Sequence, residues 1–101
     1  MNAPPLSASE LDMVRAVFRR HPEIGSAMLF GSRAKGTHTE RSEVDLVVTG
    51  DVAPLRAESI AAELDELPLP YRFEVQSLGH IHHRPLIEHI KRVGIRIYPG
   101  S

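Results

Sequence analysis

Cysteine is absent from this 101-residue chain. Disulfides, thiol nucleophiles and thiolate metal sites are therefore excluded, and the absence fits the cytoplasm. Long apolar runs are missing as well: none approaches the ~20 residues needed to cross a bilayer. The opening Met1-Asn2-Ala3-Pro4-Pro5 lacks the basic flank and apolar stretch of a secretory signal. The expectation is a cytoplasmic protein with no membrane partner. Nor is there an excess of either charge, since 12 Lys+Arg stand against 13 Asp+Glu for a formal charge of −1. That balance argues against an extended nucleic-acid surface that works by phosphate neutralisation. Any anion must be gripped locally, which suits a small phosphate ligand. What is present, 42% hydrophobic and 25% charged residues, is the composition of one ordinary globular domain.

The Pro-, Ala- and Ser-rich residues 1–8 read as a flexible lead-in, with a single domain over 9–99. Ser7 and Glu10 stand in capping-box spacing, and Ser9 is an equally good N-cap. Leu11, Val14, Val17 and Phe18 then share one helical face, and His21-Pro22 ends the helix. Ala27–Phe30 reads as a buried strand stopped by Gly31, and Val44–Thr49 as a second strand, apolar except for Asp45. Pro54–Leu67 reads as a helix that turns Ile60, Leu64 and Leu67 inward. Tyr71–Ser77 alternates as a strand, with Tyr71, Phe73 and Val75 on one face and Arg72, Glu74 and Gln76 on the other. Pro85–Val93 reads as a last helix with Gly94 as its C′ residue, followed by a closing strand, Ile95–Tyr98. The implied fold class is α/β (α+β): a small mixed sheet with helices packed on one face and the other face open.

Three features converge on that open face. Gly31-Ser32 follows a strand and precedes a turn that starts a short helix at Arg33-Ala34-Lys35. A glycine lets backbone approach a ligand closely, and free N–H groups beside Arg33 and Lys35 suit a phosphate. Glu43 and Asp45 lie two apart on the second strand and share a face, while Val44, Leu46 and Val48 share the other. Glu74 lies on the polar side of the third strand. Neighbouring carboxylates repel unless a cation sits between them, and Mg²⁺ is commonly held by one or two carboxylates together with substrate phosphates. The chemistry such an assembly supports is in-line attack on a nucleotide phosphorus with pyrophosphate leaving.

Other residues invite blander readings. Gly31-Ser32 alone would be a turn glycine with a capping serine, Glu43 and Asp45 alone two solvated acids, and Glu74 an exposed strand residue paired with Arg72 or Arg96. His80-x-His82-His83 suggests zinc or nickel, yet no cysteine or clear third ligand accompanies it, and loop histidines before a helix are ordinary surface residues.

Gly31-Ser32, ten residues, then Glu43-x-Asp45 resembles the GS-x10-D-x-D motif of the polymerase-β-like nucleotidyltransferase superfamily. The stretch Leu29-Phe30-Gly31-Ser32-Arg33-Ala34-Lys35-Gly36-Thr37, with Ser42-Glu43-Val44-Asp45-Leu46, looks like its minimal nucleotidyltransferase branch. The resemblance spans about Glu10 to Tyr98. It implies that Gly31 and Ser32, with Arg33 and Lys35 nearby, contact nucleotide phosphates. It implies that Glu43 and Asp45 ligate magnesium (two ions) and that Glu74 is the third catalytic and metal-binding acid. It further implies ATP as substrate, a HEPN-domain protein encoded nearby as partner in a hetero-oligomer or homodimer, and an antitoxin role by AMP transfer to a tyrosine of that partner. Two other functions stay open: a non-catalytic module that neutralises its partner by contact, and a subunit acting on a small molecule or RNA. The family has aspartate where this chain has Glu43 and Glu74. The charge is kept, and each carboxylate moves out by roughly one C–C bond, against a metal that demands octahedral geometry at about 2.0–2.1 Å.

Overall fold

The computed structural model describes residues 6–31 and 43–99. The short helix expected at 33–35 lies outside them, as do Ser32, Arg33 and Lys35. The elements in chain order are α1 (Ala8–Arg19), β1 (Ile24–Phe30), β2 (Val44–Gly50), α2 (Pro54–Asp65), β3 (Phe73–Ser77), α3 (Arg84–Val93) and β4 (Ile95–Tyr98), with a single 3-10 turn at Leu78–His80.

Ser7, not Ser9, caps α1. Its hydroxyl accepts the Glu10 N–H at 3.2 Å while the Glu10 carboxylate accepts the Ser7 N–H at 2.8 Å, a reciprocal box that satisfies two orphan donors. Leu6, inside the stretch read as lead-in, is already buried in the core. β1 begins three residues before Ala27, because a bulge between Ile24 and Ser26 interrupts the alternation that marks a strand. α2 stops at Asp65, short of Leu67. Pro68 disfavours helical geometry just before it, and the Glu66 and Leu67 N–H groups bond three residues back, to Glu63 and Leu64. β3 starts at Phe73, two residues after Tyr71, where its ladder with β2 begins. Gly94 does end α3, but as the C-cap itself, one position before C′, in extended backbone (φ −62°, ψ 138°). A Cβ there would strike the Ile90 carbonyl, which accepts the Gly94 N–H at 2.7 Å.

The strands form one mixed sheet in the order β3-β2-β1-β4, with β1 antiparallel to β2 and β4, and β2 parallel to β3. On one face Leu29, Val44, Leu46 and Val48 pack with Val14, Val17 and Phe18 of α1 and Ala57, Ile60 and Leu64 of α2. The other face is not fully open, which corrects the expectation that the helices share one side. α3 lies against it, and its Ile90 packs with Phe30 and Val47 beside half-buried Met28 and Leu86. The apolar stripe of α3 requires a buried partner but does not state which side of the sheet supplies it. Among the described residues no helix is long and apolar enough to cross a membrane.

Candidate active site

Period-two geometry on β2 places Asp45 on the α3 face, next to Val47, while Val44, Leu46 and Val48 are fully buried on the other. The antiparallel register sets Phe30 opposite Asp45, and the parallel register sets Glu74 of β3 beside it. Glu43 precedes the strand by one residue and turns to the same side. Ligand oxygens of Glu43, Asp45 and Glu74 all lie within 4.8 Å of one another, with Asp45 half-buried and the two glutamates exposed. Glu74, distant in sequence, is thus brought to the Glu43–Asp45 pair by strand register.

Gly31 holds the position that makes this possible. It has φ +78°, and a Cβ built there would fall 2.5 Å from Oδ2 of Asp45. Only a residue with no side chain accepts both that backbone and that neighbour. Gly31, expected to face phosphate, also makes room for the central acid.

Burial, the charge of Glu74, a hydrogen bond with Glu74 and the charge of Glu43, in that order, raise the Asp45 carboxyl from 3.8 to about 6. All four act in one direction. A divalent cation would reverse the sign of the neighbouring charge and let all three acids ionise together. The donor set is all oxygen and all carboxylate, which suits Mg²⁺ and gives nothing to a soft metal. His80, His82 and His83 are exposed, and among the described residues no other group of three metal-ligating side chains gathers. Of the residues singled out by sequence, the structure brings together Gly31, Glu43, Asp45 and Glu74. Ser32, Arg33 and Lys35 fall outside the described residues.

Two supporting contacts were not legible beforehand. The Asp65 carboxylate accepts the Phe73 N–H at 2.9 Å and so ties the start of β3 to the end of α2. Phe30 sets its ring edge-on to His89 of α3, at a 6.3 Å centroid distance, beside Asp45's cross-strand position. A terminal acid before a proline-rich link, and an aromatic at a strand end, carry no sequence signal of either pairing.

A family model described as "Polymerase beta, Nucleotidyltransferase" matches residues 12–101. The chain belongs to this nucleotidyltransferase family. Solved structures agree with the fold. One, a toxin-antitoxin with AMP-PNP, is 16% identical with a TM-score of 0.74, over 95% of this chain and 76% of that one. A second is a MntA-HpeT toxin-antitoxin variant in which two aspartates, two residues apart, are replaced by glutamate. It is also 16% identical with a TM-score of 0.74, over 90% of this chain and 74% of the other. A third is a tri-AMPylated Shewanella oneidensis HEPN toxin in complex with MNT antitoxin, 14% identical with a TM-score of 0.70, over 91% and 71%. At these identities the likeness is one of fold. No curated protein matches the sequence.

Proposed function

We propose that this nucleotidyltransferase transfers AMP from ATP to a hydroxyl, a tyrosine in the first instance, of a HEPN-domain partner encoded nearby, and acts as its antitoxin. The observation that carries the reading is the convergence of Glu43, Asp45 and Glu74 within 4.8 Å, where burial and the two neighbouring acids oppose the charge on Asp45 and a cation would relieve that repulsion. Support for the partner and the donor comes from the fold's neighbours: complexes of a toxin with an antitoxin, one with AMP-PNP and one with a tri-AMPylated toxin.

In this reading Glu43 and Asp45 hold magnesium, two ions when Glu74 contributes. The bound metal supplies positive charge at the triphosphate and the reacting phosphorus. Gly31, Ser32, Arg33 and Lys35 grip the phosphates, an assignment that for the last three rests on sequence. The acceptor oxygen forms a bond to the α-phosphorus as the bond to the bridging oxygen breaks and pyrophosphate leaves. Glu74 takes the acceptor's proton or completes a metal site. The setting is the cytoplasm, and the companion chain completes the acceptor side as a hetero-oligomer, or a second copy does so as a homodimer.

One observation favours a second reading, a non-catalytic module that neutralises its partner by contact. Glu43 and Glu74 are exposed and a methylene longer than aspartate, and the MntA-HpeT variant with two such replacements is itself a toxin-antitoxin structure. ATP labelled on the α-phosphate, magnesium and the HEPN-domain protein decide between them. Label on the partner, lost with Asp45→Ala, is expected. A stable complex with no label would establish the contact-only reading instead.

A further inference from the structure

β3 ends the sheet, and its outer edge is chemically unfinished. The Val44 N–H donates to the Arg72 carbonyl at 2.9 Å. Backbone groups alternate along a strand, so those of Arg72, Glu74 and Gln76 face β2, and those of Phe73, Val75 and Ser77 face away. Asp65 accepts the Phe73 N–H. Among the described residues no strand pairs with the outer edge at Val75 and Ser77. A cavity of about 410 Å³ runs along that edge, between the first turns of α2 and the segment at His80 and Ile81. Ala57 and Ala61 give it width on the helix side. Ser77 lines it, is 5% exposed, and its Oγ has no hydrogen-bond partner. A buried hydroxyl in that condition has lost its water without a replacement partner and calls for an explanation.

We propose that the outer edge of β3 docks an extended, basic segment of the acceptor protein as an added strand, with Ser77 Oγ bonding to it, and that this register delivers the acceptor hydroxyl to Glu74. The proposal rests on the reading that the acceptor is a protein. The outward groups recur every second residue, the spacing an extended chain offers in return. The groove's acids, Glu58 from α2 and Glu74 from the strand, select a basic occupant. They also oppose a second copy of this chain, whose β3 edge would bring the same two acids against themselves. Continuity with Glu74 joins the groove to the acid cluster without any further element.

The experiment uses the full chain with and without the purified HEPN-domain protein and follows amide hydrogen exchange alongside transfer of labelled AMP. The Val75 and Ser77 amides are expected to exchange at least about tenfold more slowly in the complex, because a strand-added N–H is hydrogen-bonded. Ser77→Ala is expected to raise the acceptor KM about 2–10-fold with kcat unchanged, as loss of one hydrogen bond implies. It should also raise the melting temperature of the free chain, since an unsatisfied hydroxyl is gone. Glu58→Lys should raise the same KM and leave KM for ATP unmoved. Labelled partner with unchanged exchange and unchanged KM overturns the groove and leaves the transferase reading standing. No label and no complex overturns both. Slowed exchange in the free chain that grows with its own concentration overturns the proposal in favour of a second copy.

Discussion

The two sides of strand β2 face opposite chemistries. Toward α1 and α2 it presents Val44, Leu46 and Val48, all at 0% exposure. Toward α3 it presents Asp45 and then Val47, so the apolar cover of α3 reaches Val47, Phe30 and Met28 and stops short of the acid. The first side is an uninterrupted core in which each buried aliphatic side chain contributes roughly 1.5–3 kcal/mol. The second gathers carboxylates that oppose one another. A strand anchored on one side can hold groups on the other that would not assemble by themselves, which is how a small domain keeps a strained electrostatic site in place.

Breaking the core side should give the largest effect. Leu46→Ala deletes a fully buried side chain between two helices and is expected to cost about 2–5 kcal/mol, measured by urea unfolding. Ile90→Ala removes the buried anchor on the α3 side, in a smaller cluster with half-buried neighbours. Its cost should lie at the lower end of the same range. Equal costs would mean that the α3 side is as complete a core as the other.

Gly31→Ala acts on the seam between the two sides. Left-handed backbone costs an alanine about 1–2 kcal/mol, and the added Cβ must also displace the Asp45 carboxylate. The expected result is a moderate loss of stability together with loss of any magnesium-dependent rise in melting temperature. Retention of that rise would show that Asp45 can move aside and still bind.

Much of this division is visible in the sequence, and the limits have physical causes. The period of two on β2 sorts Glu43 and Asp45 from Val44, Leu46 and Val48 without a structure. The Ser7–Glu10 box announces α1 because both partners are local. The pairing of Asp45 with Glu74 is different. It depends on a parallel register between strands separated by a whole helix, and a one-residue slip would turn Glu74 to the opposite face. The side chosen by α3 is likewise non-local, since the stripe of Leu86 and Ile90 fits either face of a sheet. Gly31's service to Asp45, and the orphaned hydroxyl of Ser77, arise from contacts that no run of neighbouring residues encodes. The inward pattern of Ile60, Leu64 and Leu67 outruns α2 because 3-10 bonding at Glu66 and Leu67 replaces its last α-helical turn.

The smallest effect, and the most specific to the acid side, is in pH dependence. Asp45 holds its proton up to about pH 6 in the folded chain, against 3.8 for the ordinary carboxyl. Between those values the folded state binds a proton that the unfolded state has released, so stability from this group falls as pH rises. It is fully present below about pH 4 and lost as pH passes 6. The difference between the wild-type chain and Asp45→Asn isolates the contribution. In chelator, melting temperatures taken from pH 4 to pH 8 should show Asp45→Asn gaining on wild type as pH increases, because the amide has no charge to bury and none for Glu74 and Glu43 to repel. Saturating magnesium should reverse that order at pH 8, since a cation bound only by the folded state stabilises it and the amide weakens the site. A variant that tracks wild type at every pH, with and without the metal, would mean that neither burial nor the neighbouring acids act on Asp45, and the acid side of β2 would hold no opposed charge at all.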